Sequence, residues 1–159
     1  MNIVLARIDD RLIHGQVATV WSKATNCQRI IVCDDDVAND KIRATLLKQV
    51  APAGIKSHVV GLDKAIRVYN NPKYENDRCL LLFTKPASVL YLVEHGVDIK
   101  SVNIGGMSFH EGKKQLTKAI SVDEDDIEAF KKLNEKGITL EIRIVASDKP
   151  QNLMDVLPK

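Results

Sequence analysis

Hydrophobic positions in this chain come in short runs, and polar or helically spaced stretches separate them. Ile3 to Ile8 predicts a first strand and Gly15 to Lys23 a helix behind it. Arg29 to Cys33 (RIIVC) predicts a second strand, followed by a helix over Asn39 to Val50. On that helix Ile42, Leu46, Leu47 and Val50 fall on one face, the spacing of a core-facing stripe. His58 to Gly61 predicts a weaker third strand, and Leu62, Ala65, Ile66 and Tyr69 mark the next helix. Cys79 to Phe83 (CLLLF) is apolar at every position, as expected of a strand covered on both faces. Pro86 suits the first turn of a helix through Val93, which Gly96 stops. Ser101 to Ile104 predicts a fifth strand running into Gly105-Gly106, and Leu116 to Ile120 a short strand.

The clearest helix comes next. Asp123 is its expected N-cap, Glu124, Asp125 and Asp126 occupy its first turn, and Lys131, Lys132 and Lys136 lie near its end before Gly137. That charge order complements the helix dipole. Beyond it Ile138, Leu140, Ile142 and Ile144 alternate with Thr139, Glu141 and Arg143, a half-exposed strand at an edge. Apolar runs joined by single helices indicate parallel strands. The fold class is α/β: an open doubly wound, mainly parallel sheet with helices on both faces and an antiparallel edge strand, in a single domain over residues 1-159.

Composition narrows the function without naming it. The 23 basic and 21 acidic side chains leave a net charge of +2, with no long basic stripe of the kind that nucleic-acid binding needs. Three cysteines, Cys27, Cys33 and Cys79, show no CxxC pairing and read as reduced thiols of a cytoplasmic protein. The start of the chain turns polar at Arg7, too early for a signal peptide, and no apolar run approaches the roughly 20 residues that cross a bilayer. Any role at a membrane is expected to be that of a peripheral partner.

In such folds ligands sit beyond the carboxyl ends of the strands. The segment after the first strand is unusual there: Arg7-Ile8-Asp9-Asp10-Arg11-Leu12-Ile13-His14-Gly15-Gln16-Val17. His14 is expected just ahead of a helix N-terminus, where backbone N–H groups favour an anion, and Arg11 carries the planar fork that suits phosphate. Imidazole is partly neutral at physiological pH and is a competent nucleophile. Phosphoryl transfer needs, besides a nucleophile, mainly positioning and electrostatic stabilisation. Asp9 or Asp10 would orient Arg11 or fix the histidine tautomer. A capping or packing histidine is the plainer alternative, with Leu12 and Ile13 as a plug beneath the helix.

The stretch Arg7 to Val17 resembles the phosphorylation-site loop of the IIB subunits of the bacterial mannose-fructose-sorbose phosphotransferase system. Thr19-Val20-Trp21, the Arg29-to-Asp36 strand and its acidic tail, Leu82-Phe83-Thr84, Val102-Asn103-Ile104-Gly105-Gly106-Met107 and Val122-Asp123 through Phe130 are similar to that family as well. The resemblance implies that His14 accepts a phosphoryl group, at Nδ1, from a phosphohistidine on a IIA protein. It further implies delivery to a sugar entering through membrane IIC and IID subunits, with no cofactor and no metal. Arg11 would stabilise the phosphoryl group, and Asp10, Gly15 and Thr84 would support or bind it. Arg7, Arg11 and Lys85 would give the crevice a positive rim facing the partner. Because the chain begins at the IIB segment, the donor is expected on a separate chain. Lys113 to Lys118 and Val145 to Asp148 look most like sorbose-type members, whereas Lys85 departs from relatives with a neutral residue before Pro86.

Other clusters point elsewhere with less force. Asp34-Asp35-Asp36 offers oxygens to a divalent cation but reads better as a solvated strand end. Gly105-Gly106-Met107 either turns the chain or walls the His14 crevice. His58, His95 and His110 share no metal spacing; His95 reads as a helix-end residue and His110 as an exposed loop residue. Trp21 reads as core. A signalling receiver would need a phosphate-accepting aspartate after the third strand, where Val60-Gly61-Leu62 stands. A dinucleotide oxidoreductase would need GxGxxG, which Gly105-Gly106 does not begin.

Overall fold

In the computed structural model, which describes residues 1–15 and 17–158, β1 (Asn2–Asp9) lies near the centre of a seven-stranded sheet. The other six strands are β2 (Arg29–Cys33), β3 (Lys56–Val60), β4 (Arg78–Phe83), β5 (Ser101–Gly106), β8 (Thr139–Ile142) and β9 (Gln151–Asn152). Between β5 and β8 the chain forms a separate hairpin of β6 (Lys114–Thr117) and β7 (Ile120–Val122). The order across the main sheet is β3-β2-β4-β1-β5-β8-β9. All neighbours in it pair in parallel except β8 with β9. The alternating run at Ile138 to Ile144 is therefore one place in from the edge, and the antiparallel edge strand is the short β9.

Strand periodicity builds the two layers. On β4, Cys79, Leu81 and Phe83 enter one buried cluster, while Leu80 and Leu82 enter the other. The first cluster is covered by α4 (Leu62–Asn70), α5 (Pro86–Glu94) and α6 (Glu124–Glu135). The second is covered by the loop residues Leu12 and Ile13, by Val17 and Trp21, and by α2 (Asp35–Asn39) and α3 (Lys41–Gln49) through Val37 and Leu47. Helix α6 begins as its sequence predicts. Asp123 Oδ1 accepts from the Asp126 amide at 2.8 Å, and Asp126 Oδ2 accepts from the Asp123 amide at 3.1 Å.

Several elements differ from the sequence expectation. The helix after β1 is a π-helix at Val17–Trp21 that tightens into α1 (Ser22–Thr25). The helix expected over Asn39 to Val50 is α3, which starts at Lys41 after the extended cap Asp40, and an unexpected short helix, α2, precedes it. Only Leu47 of the α3 apolar stripe is core-facing. Ala44 and Leu47 are buried, whereas Ile42, Leu46 and Val50 are 76%, 57% and 50% exposed. Gly105 and Gly106 end β5 rather than turning the chain, and Leu116 belongs to the β6–β7 hairpin.

The sheet fixes where a site can form. β1 crosses by way of α1 to β2 on one side, and β4 crosses by way of α5 to β5 on the other. The carboxyl end of β1 is thus the switch point where the connections diverge, and a crevice opens above it.

Candidate functional site at the end of the first strand

Asp9 is the last residue of β1 and the hub of the site. It is fully buried, and its neighbours Asp10, Arg11 and Leu12 turn back over it. The Leu12 amide donates to the Asp9 carbonyl at 2.9 Å, and the Arg11 amide to Asp9 Oδ1 at 3.2 Å. An aspartate bonding the amide two residues on is a local turn device. It leaves Leu12 with φ 63°, a conformation a branched side chain resists, and burial of Leu12 in the second cluster holds it there.

That turn gathers three cationic or polarisable groups on one carboxylate. Arg11 donates from Nε to Oδ1 and from Nη2 to Oδ2, both at 3.0 Å. Arg7, two residues back on the same face of β1, donates from Nη2 to Oδ2 at 3.2 Å. His14 places Nε2 3.0 Å from the same oxygen. An ionised carboxylate can only accept, so Nε2 carries a proton, and in the neutral ring Nδ1 keeps its lone pair. Burial pushes the Asp9 carboxyl upward, but the bonds from Arg11 and His14 and the charges of Arg7 and Arg11 outweigh it. The group is held below the ordinary carboxylate value. The bond to Asp9 in turn raises Arg11.

Arg7 does not lie on a rim. Its side chain is wholly buried, stacked 4.9 Å from the Trp21 ring. Nη1 bonds Asn103 Oδ1 and the Arg143 carbonyl, the latter at 2.8 Å, and Nη2 reaches the Ile144 carbonyl at 2.9 Å. Trp21 Nε1 donates to that same Ile144 carbonyl at 3.1 Å. The physical reason is period two: Arg7 shares its face with Asp9, beneath the turn, so it points inward where its charge is matched by Asp9. Burial lowers Arg7, and Asp9 offsets only part of that. The guanidinium fits because Gly105 has no side chain; a Cβ there would overlap it.

The other expected site residues are placed apart from this hub. Of the two aspartates, it is Asp9 that orients Arg11 and His14. Asp10 instead accepts from the Ser108 amide at 2.7 Å and its hydroxyl at 2.9 Å, tying down the loop after β5. Thr84 donates its hydroxyl to Asp34 Oδ2 at 2.5 Å, so its proton is already committed. Asp34 also caps α2 through the Val37 amide, which makes the acidic tail of β2 a helix start. Thr84 nonetheless shares with Asp10, Arg11, Ser108 and His110 a crevice of about 380 Å³. A second hollow of about 370 Å³ has Arg11, Gly105, Gly106 and Met107 in its wall. Lys85 is exposed at the N-cap of α5, and Gly15 is exposed with open space around it.

His14 itself is 20% exposed, and its carbonyl accepts from the Ala18 amide, so it stands at the entry of the helical segment. Among the described residues no group of three His, Cys, Asp or Glu side chains is arranged to hold a metal ion. Asn103 and the Arg143 and Ile144 carbonyls carry no mark in the sequence. A buried arginine needs such acceptors, but their distance along the chain hides them.

An imidazole and an arginine fork thus meet on one buried carboxylate at the switch point of a doubly wound sheet. The family model of the PTS system sorbose subfamily IIB component matches residues 3–159. The chain belongs to this family. It is 57% identical to the sorbose-specific EIIB component of Klebsiella pneumoniae over 98% of this chain and 94% of that one. It is 62% identical to half of the mannose-specific EIIAB component of Escherichia coli K12, covering 100% of this chain and 49% of that protein. The crystal structure of the IIBSor domain of the Klebsiella pneumoniae sorbose permease superposes with a TM-score of 0.95, covering 98% of this chain and 95% of that one. The IIB chain thus has the family's mainly parallel seven-stranded sheet, and no helix among its described residues is long and apolar enough to cross a membrane.

Proposed function

We propose that this IIB chain is the phosphoryl carrier between a IIA phosphohistidine and a sugar, and that His14 is the carrying residue. The bond from His14 Nε2 to Asp9 supports this reading most directly, because it leaves the other ring nitrogen as a nucleophile. In the transfer the Nδ1 lone pair attacks the donor's phosphorus in line, the donor's N–P bond breaks, and its imidazole leaves with that electron pair. Phosphorylated at Nδ1 and protonated at Nε2, the His14 ring carries positive charge, which the Asp9 carboxylate matches. Arg11 commits Nε and Nη2 to Asp9, and its Nη1 hydrogens then meet the phosphoryl oxygens. In the second half-reaction a sugar hydroxyl, presented by the membrane IIC and IID subunits, attacks the same phosphorus. Its proton passes to solvent, and neutral His14 is regenerated.

Residues around the hub have supporting roles. Arg7 fixes Asp9 from below and Asp10 holds the Ser108 loop, while Thr84 and the open space at Gly15 flank the reacting group. Lys85 supplies charge at the surface. The protein would act in the cytoplasm, at the inner face of the transporter. Relatives named for sorbose, mannose and fructose match it at 57%, 62% and 46% identity, so overall identity does not single out one sugar.

Incubation with a phosphorylated IIA donor tests this reading. Wild type is expected to take up acid-labile, alkali-stable phosphate, and His14→Ala to take up none while keeping its thermal melt. Label persisting in folded His14→Ala, or none in wild type with a competent donor, would remove His14 from the role.

A further inference from the structure

A cavity of about 170 Å³ lies under α4 at the outer edge of the sheet, and it shares no residue with the His14 crevice. Strand periodicity lays its floor. Ile31 of β2, Val60 of β3 and Cys79 of β4 belong to the buried cluster on the α4 side, and Arg29 and His58 stand two residues before the first two. Cover is thin here because β3 is the edge strand and Ala65 is the one fully buried residue of α4. Lys64 and Val68, one turn apart on α4, form the roof. Tyr74 lines the end beside Arg29, whose guanidinium carbon is 5.4 Å from the ring centroid.

The polar atoms of this cavity are donors in excess of acceptors. Arg29 donates from Nε to Asp77 and from Nη1 to His58 Nε2, both at 2.9 Å. A guanidinium can only donate, so Nε2 accepts and the neutral His58 ring carries its proton on Nδ1. Burial and the charges of Arg29, Lys48, Lys56 and Lys64 hold His58 below its ordinary value, which keeps the ring neutral. Among the described residues, Asp77 is the one carboxylate paired with any of these cations, and Arg29 Nη2, His58 Nδ1 and Lys64 Nζ have no hydrogen-bond partner. We infer that this cavity binds a small carboxylate whose apolar body is about six carbon atoms in size, a site separate from the phosphoryl-carrier reading. A cleft with cations at its mouth and low-dielectric walls concentrates anions. Ile31, Val60, Val68 and Cys79 then set the rest of the ligand, since a bare ion would lose hydration against them without repayment. The volume is below the roughly 300 Å³ at which sites for drug-sized ligands begin, so the body must be compact.

Benzoate is the probe, titrated into the intact chain at constant pH and ionic strength while the His58 ring resonances are followed by NMR. The shift is expected to saturate with a Kd of about 1 mM, in keeping with so small a ligand. Benzyl alcohol, which lacks the charge, and inorganic phosphate, which lacks the apolar body, are each expected to bind at least about tenfold more weakly. Lys64→Glu is expected to weaken benzoate at least about tenfold as well. Lys64 is exposed and unpaired, so this variant should melt as wild type does. Its phosphate uptake from a IIA donor should also be unchanged, which keeps this test independent of the His14 reading. The absence of a saturable His58 shift up to about 20 mM benzoate would overturn the inference. So would equal binding of benzyl alcohol or phosphate, or wild-type affinity in Lys64→Glu.

Discussion

Asp9 makes one carboxylate serve three partners, and removing its charge should show which of them matter. In Asp9→Asn the buried Arg7 loses its counter-charge and His14 loses the acceptor that fixes its tautomer. Leaving a buried charge unpaired costs about 3 kcal/mol or more, and losing an oriented catalytic nitrogen slows transfer by about 10²-fold. Calorimetry and single-turnover phosphate uptake would read the two effects separately. The pH dependence has a definite sign. Asp9 sits below its unfolded value in the folded protein, so it stabilises the fold above the ordinary carboxylate range, and that contribution is lost as pH falls through its lower folded value. Asp9→Asn should lack this part of the acid-induced loss, and an unchanged slope would show that Asp9 does not carry it. The convergence of His14 and Arg11 at the end of the first strand is legible in the sequence, because both lie in the short segment that follows it. The choice between Asp9 and Asp10 is not, since adjacent residues on a strand point to opposite sides and only the register with β5 settles which is inside.

At the scale of elements, the sheet is shaped around the buried arginine. β5 passes close to β1 where Arg7 pairs with Asn103 and Asp9 with Gly106, and Gly105 leaves room for the guanidinium. Gly105→Ala should therefore destabilise the fold by about 2 kcal/mol through overpacking, while Gly15→Ala, with nothing near its Cβ, should melt as wild type does. Equal melts for the two variants would contradict this packing. Local rules place most elements correctly because burial and propensity agree: RIIVC, CLLLF and the Asp123-capped helix stand where expected. They fail at α3, where helical spacing alone points to the core. Periodicity reports that a face is apolar, not what covers it, and here Leu47 faces inward beside Ala44 while Ile42, Leu46 and Val50 stay exposed. The π-helical turn at Val17–Trp21 is equally hidden, because i→i+5 bonding leaves no mark in a pattern of nine residues.

Across the whole molecule, the parallel sheet buries its cysteines as well as its charges. Burial raises the thiols of Cys27 and Cys33 and pushes Cys79 up to about 11, so none presents a reactive thiolate at neutral pH. A thiol reagent should leave the native protein unlabelled and find all three after unfolding; rapid native labelling would mean that the strands open locally. The same architecture explains why the doubly wound class is readable while the partner surfaces are not. Alternating runs dictate the layers, but a docking face is defined by what the layers leave uncovered. The carrier role proposed for His14 depends on a carboxylate that holds one ring nitrogen and frees the other. Phosphorylating the uniformly ¹⁵N-labelled protein and recording ³¹P–¹⁵N couplings tests this most directly. Coupling of phosphorus to Nδ1 of His14, with a proton on Nε2, is the expected result. Phosphorus on Nε2, or on any other residue, would contradict it.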